Sequence, residues 1–490
     1  MDDREIFARA LPPPIDVAVD GHFAGKLTPQ LRYELQGWVL LSLAALGLAG
    51  VLALMLSLAR APGAEILPFL DQVFFRRVLV VHVTFAFVAW YLGIQGAMTV
   101  LVTARLESDS GRTSFGATLV GRAGLYGAIL SYVLLLIPVV GDRGVPSPNN
   151  YIPVLLNPFY FAGLAGLALS VALPVLRFLA RVVRLRHVEA STLGIACAGV
   201  IYLLALACVP AAWVTRPQGF DAEGVSEYMM WGVGHVLQFA NTTMLLCVAY
   251  LLSRITLGET PLPPRLFKAM MLLLVAGAAA GPLFYLGFDG GDPTQRFMFT
   301  ALYRFILPLP AAVVCVSVVA LLVRRRRDLW EGAPEARGLA AAMVLFGYGG
   351  LIGFFESSVD TRTPAHYHAE LIAVTLVFMT AYFALFLPLL GRRTERRRLR
   401  TAMYLTLGGG QFLHSTGLFI AGAMGVARKT AGAAQGLDSS GKVFALALQG
   451  VGGVIAVTGG IIFIVLAGKL LLAKREPSVT ATGLGGVEAV

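Results

Sequence analysis

Apolar runs long enough to cross a bilayer recur along the whole chain, at about 34–59, 74–103, 114–141, 151–180, 190–214, 227–253, 266–288, 297–323, 337–358, 365–391, 401–425 and 443–473. A helix needs roughly 20 such residues to span the hydrocarbon core. Lipid offers no hydrogen bonds, so each spanning backbone must satisfy its own polar groups, as a helix or within a closed barrel. The runs lack the alternation of a barrel strand, and the Gly and Pro inside them are tolerated in membrane helices. The expected fold is therefore all-α, a polytopic membrane protein of about twelve transmembrane helices. A mean hydropathy of +0.75 places the chain outside the range of soluble domains.

The loops orient the bundle. Arg177, Arg181, Arg184 and Arg186 follow the fourth run, Arg324 to Arg327 the eighth, Arg392, Arg393 and Arg396 to Arg398 the tenth, and Lys469, Lys474 and Arg475 the twelfth. All fall on one side, and the positive-inside rule makes that side cytoplasmic, with both termini there. The net charge of +11 is thus mainly a topology signal. Each cluster abuts a span, where anionic lipid is the nearest partner, and no nucleic-acid partner is expected. Residues 1–33 read as a cytoplasmic lead-in without a cleavable signal, 34–475 as one membrane domain, and 476–490 as a cytoplasmic tail. The localisation expected is a bacterial-type cytoplasmic (inner) membrane. Cys197, Cys208, Cys247 and Cys315 all sit in apolar runs without a CxxC pattern, so neither disulfides nor covalent haem c are expected.

Histidines carry the chemistry. Runs two, six and ten enter from the outer side, and each bears its histidine early: His82 in VLVVHVTF, His235 in WGVGHVLQF, His366 and His368 in AHYHAEL. At 1.5 Å per residue all four lie some 5 to 15 Å below the outer helix ends, in one layer. Positions 366 and 368 project about 200° apart, so one helix can offer an imidazole on each of two sides. Histidine within a membrane is costly and marks function, and neutral imidazole is a favoured haem ligand. The competing reading is a hydrogen-bonded network between helices. His22 and His187 fall in segments expected to be solvated, and His414, near the middle of run eleven, reads as a packed residue.

These residues resemble the catalytic subunit I of the haem-copper oxidase superfamily, which includes the bacterial nitric oxide reductases, over nearly all twelve runs. The resemblance implies that His82 and His368 hold a low-spin haem and that His366 holds a high-spin haem. Arg428 and Lys429, in GLFIAGAMGVARKT, are similar to the family's paired arginines for haem propionates. WGVGHVLQF looks most like the cbb-type branch, which makes His235 a copper ligand. Where the family reads Gly-Pro-His-His, this chain reads Gly281-Pro282-Leu283-Phe284, so two of three copper ligands are apolar. Phe239 stands where the cytochrome oxidase version of this motif has a redox tyrosine. Glu370, four residues beyond His366 and on the same helix face, is the candidate carboxylate at that haem, with pairing to Arg304 as the alternative.

The function implied is a di-haem membrane oxidoreductase reducing O2 or NO with respiratory electrons. Those would come from a partner subunit, or from a cytochrome c-type or copper protein. Protons would pass polar residues such as Tyr126, Ser131, Tyr132 and Tyr303. Two alternatives stand beside it. One is a copper-less haem protein for electron transfer or gas binding. The other is a twelve-span secondary transporter, which needs a midplane site, whereas the polar groups here gather near the outer face.

Overall fold

The computed structural model describes residues 27–60, 72–106, 114–140, 143–149, 151–357, 359–392 and 395–473. The lead-in through residue 26, with His22, and the tail from 474 lie outside the described residues. Twelve long helices follow one another: α1 (Pro29–Arg60), α2 (Gln72–Leu106), α3 (Phe115–Val140), α4 (Pro158–Val182), α5 (Ala190–Thr215), α6 (Ala222–Leu257), α7 (Pro264–Gly287), α8 (Pro293–Arg324), α9 (Pro334–Gly353), α10 (Arg362–Leu389), α11 (Arg397–Ala423) and α12 (Ser440–Leu472). Among the described residues eleven are long and apolar enough to cross a membrane. The exception, α11, has the length but carries Gln411, His414, Ser415 and Thr416 in its C-terminal half.

Helix ends follow from local chemistry. Asn157, Asp221, Asp292 and Ser439 each accept a backbone N–H of the first turn, and Pro158 and Pro293 occupy first-turn positions whose N–H would have no partner. The fourth helix starts at Pro158, seven residues later than the apolar run suggests. Pro153 and the Asn157-Pro158 pair divert residues 151–156 into an antiparallel hairpin, in which β1 (Val145–Ser147) pairs with β2 (Val154–Leu156). This hairpin closes the end of the bundle opposite the basic loops.

Burial separates the helices into an inner set and an outer wall. Within their most apolar stretches 89% of α6, 83% of α10 and 78% of α2 is buried, against 61% or less in the other eight spans. The three interior helices are the ones that bear His235, His366 with His368, and His82. Two of them are locally widened by π-helical turns, at Thr84–Ala89 in α2 and Tyr382–Phe386 in α10. Such turns re-aim side chains and recur at functional sites. The first begins two residues after His82.

At the basic end, Arg177 is not the loop cation that its position suggests. It is buried and reaches Glu34 of α1 at 2.5 Å, tying α4 to α1. Gly121 of α3 gives this pair its room: a Cβ there would lie 2.1 Å from the Glu34 carboxylate.

On the other flank α11 and α12 meet backbone to backbone. A Cβ at Gly410 would lie 2.3 Å from the Ala456 amide nitrogen, and one at Gly417 2.4 Å from that of Gln449. This is the small-residue packing that substitutes for hydrophobic drive between helices in lipid. Gly410→Leu is expected to force the pair apart at a cost of about 3 kcal/mol, whereas Gly409→Leu, with nothing within 4 Å, is tolerated. Thermal denaturation of the two detergent-purified variants checks the contrast.

Candidate functional site

The site is organised by the first turns of α10. Its start is stitched to the end of α11: Thr361 N–H donates to Val426 O (3.1 Å) and Thr361 Oγ1 to Leu418 O (2.7 Å). The depth and rotation of the residues that follow are thereby set. His366 and His368 then leave on different sides, as their spacing requires.

His366 is buried between α9 and α8. Its Nδ1 donates to Gly349 O (2.8 Å), and since a carbonyl only accepts, Nδ1 carries the proton. The Nε2 lone pair therefore accepts from the Tyr303 hydroxyl at 2.8 Å. Glu370 Oε2 stands 3.8 Å from the same nitrogen. Gly353 of α9 permits this approach, because a Cβ there would be 2.6 Å from the His366 ring. The alternative pairing of Glu370 with Arg304 is not formed; Arg304 reaches Glu356 instead, at 3.5 Å.

His368 faces the opposite way. Its ring stacks on Tyr367 and meets His414 edge-on, each at a centroid distance of 5.1 Å. Among the described residues it makes no hydrogen bond. His82 lies within electrostatic reach of His368 and His414. Its Nδ1 donates to Ala49 O of α1 (2.9 Å), which leaves Nε2 unbonded among the described residues. This is how proteins orient a ligating imidazole, by tethering one ring nitrogen so that the other is aimed. His414, expected only as a packed residue, joins this group, with Nδ1 against Gln449 O of α12 at 3.0 Å. A depth count would have found it: measured from the α11 end it lies about 14 Å in, within the layer of the other four. The charge of Arg60, at the end of α1, reaches His368 and His414, and nothing in its local sequence signals that.

His235 is built differently. Nδ1 donates to Trp231 O (2.7 Å), so Nε2 accepts from the Tyr151 hydroxyl at 2.8 Å. Tyr151, Trp231 and Phe299 surround the ring at centroid distances of 4.1, 4.9 and 5.3 Å. Leu283 is 61% exposed on the outer wall, Phe284 packs on Phe288 and Phe299, and Tyr285 Oη links Gly232 N to Tyr228 O. Among the described residues no three His, Cys, Asp or Glu side chains are placed to share a metal ion. The residues around His235 do not fit copper.

Arg428 and Lys429 sit above both histidine groups, with the Arg428 charge reaching Tyr151 on one side and Tyr367 on the other. Lys429 has a left-handed backbone (φ 59°) and donates from Nζ to Pro148 O in the hairpin. Of the residues expected to pass protons, only Tyr303 is at the site. Tyr126 bonds Tyr33 at 2.7 Å, Ser131 donates to Gly127 O, and Tyr132 donates to Ala89 O.

The family model for cytochrome c and quinol oxidase polypeptide I matches residues 36–455. The chain belongs to this family. The family comprises haem-binding membrane oxidoreductases, so the expectation of an oxidoreductase stands and the transporter reading falls. An uncharacterised protein of Rickettsia prowazekii (strain Madrid E) is 24% identical over 494 residues, covering 89% of this chain and 95% of its own. An uncharacterised protein of Aquifex aeolicus (strain VF5) is 26% identical over 365 residues, covering 72% and 84%. The fold is shared with a haem-copper terminal oxidase dimer solved by cryo-EM, with a TM-score of 0.73 and 15% identity over 93% of this chain and 86% of that one.

Burial, then the neighbouring Arg428 charge, pushes the Lys429 ammonium down to about 8. Its positive form, the one that would attract a haem carboxylate if Lys429 takes the role the resemblance implies, prevails below that pH. Haem uptake by haem-free protein is therefore expected to weaken as pH rises through about 8, and Lys429→Arg to remove the dependence. Absorbance titration at a series of pH values checks this.

Proposed function

We propose that this chain is the haem-bearing subunit of a membrane oxidoreductase that reduces O2 or NO, with two haems set on opposite sides of α10. The single observation that carries the reading is the division between its two imidazoles. His368 turns toward His414, with the His82 imidazole within electrostatic reach, and makes no hydrogen bond among the described residues, whereas His366 turns toward Gly349, Tyr303 and Glu370. His82 and His368 would together hold one haem, and His366 would hold a second.

Bound haem supplies one-electron redox chemistry and a place for a diatomic gas. The protein's own groups do the rest. Ala49 O aims the His82 ring and Gly349 O aims the His366 ring, each keeping the proton on Nδ1 and the lone pair on Nε2. Tyr303, whose hydroxyl occupies that lone pair of His366 here, would have to yield it to a bound haem and would then be a hydroxyl donor beside the site. Glu370 is the carboxyl group poised to hold a proton there. Arg428 and Lys429 offer cations to the propionates. Tyr91 of α2 donates to Leu371 O at 2.6 Å, tying α2 to α10 one residue beyond Glu370.

Electrons would enter from the end opposite the basic loops, from a partner subunit or a cytochrome c-type or copper protein, because the sequence carries no CxxCH motif for a haem c of its own. The basic loops favour a bacterial-type inner membrane with both termini cytoplasmic.

Visible spectra of the purified protein test the proposal. A Soret band with a split α-band is expected, and its absence would refute haem binding. His82→Ala is expected to remove the low-spin signal while keeping a CO-binding high-spin haem; His366→Ala should do the reverse. If both variants keep both signals, the assignment is wrong.

A further inference from the structure

We infer that this protein keeps its second centre free of metal, and that His235 serves instead to anchor the hairpin β1–β2 through Tyr151. The inference deepens the proposal above and rests on it for haem at His366.

Metal ligation needs an imidazole lone pair, and those of His235 and His366 each accept from a phenol; what sets His235 apart is how its phenol is held and the lack of further ligands around it. The Nδ1 proton of His235 goes to Trp231 O, so the Tyr151 hydroxyl donates into Nε2. A metal ion would have to displace Tyr151, and Tyr151 is not a side chain that swings freely. It belongs to the hairpin, which is pinned to three separate parts of the bundle. Ser147 Oγ donates to Glu223 of α6 at 3.1 Å, Lys429 Nζ donates to Pro148 O, and Thr84 Oγ1 of α2 donates to Pro153 O at 3.4 Å. Tyr160 of α4 in turn donates to Thr84 at 2.7 Å. The helix below is shaped for the phenol: a Cβ at Gly234 would lie 2.2 Å from the Tyr151 Cβ. A glycine just before His235 therefore has a reason that involves no metal.

Among the described residues nothing nearby replaces the missing ligands. Leu283 faces outward and Phe284 lies in an aromatic cluster. Among the described residues Glu356 is engaged with Arg304, Glu370 stands beside His366, and Glu227 of α6 pairs with Arg296. A lone imidazole holds copper weakly even when its lone pair is available. A gas at the His366 haem then meets phenols and aromatic rings in place of a second ion, so one metal handles one diatomic molecule.

Metal analysis of the full-length protein from copper-supplemented cells, combined with hydrogen exchange over the hairpin, tests this. Iron without copper above background is expected in wild type, His235→Ala and Tyr151→Phe alike. Each substitution should speed exchange of hairpin amides about tenfold, the equivalent of one hydrogen bond, and the double variant should add little to either single one. One copper per two irons, lost in His235→Ala, would overturn the inference; so would hairpin exchange that neither substitution alters. Protein that lacks iron altogether refutes the haem proposal, and the exchange data then decide the anchoring role separately.

Discussion

An imidazole on an interior membrane helix has two ring nitrogens and no water to satisfy them, so each must find a protein partner or a cofactor. That constraint sorts the histidines here more sharply than their positions do. His366 and His235 each have both nitrogens engaged by protein, a carbonyl on one side and a phenol on the other. His82 has one engaged and His368 none among the described residues. The surrounding structure serves this sorting: α1 and α9 supply carbonyls, glycines on α9 and α6 bring the backbone close, and the most buried helices hold the rings.

Much of the fold was readable because lipid makes the sequence signal strong. Twelve apolar runs became twelve helices with ends displaced by a few residues, and the largest displacement has a local cause in Pro153 and Asn157-Pro158. Arg177 misled because a positive charge at a run's end reads as a loop, while its partner Glu34 lies 143 residues away. No local pattern announces such a pairing.

The site was readable in part. The early histidines of runs two, six and ten do converge at one end, because depth along a helix follows from residue count. Rotation and partnership do not follow from it. Tyr151 looked like the first residue of a span, and only the tertiary hairpin sets its hydroxyl on His235. His414 was set aside as packing, although its depth matched the others, because its partner Gln449 and the glycine-lined contact of α11 with α12 come from a distant segment.

The clamp on the hairpin also has a schedule. Lys429 lies 281 residues after the Pro148 carbonyl it holds. At about 5 to 20 residues per second of synthesis, the hairpin waits roughly 15 to 60 s before its clasp emerges. During that interval the hairpin lacks its last tie to the bundle, while α10, with both of its histidines, is synthesised. Closure from the last third of the chain thus makes the covered site a late product of biogenesis, leaving a cofactor time to enter before the strap is fastened.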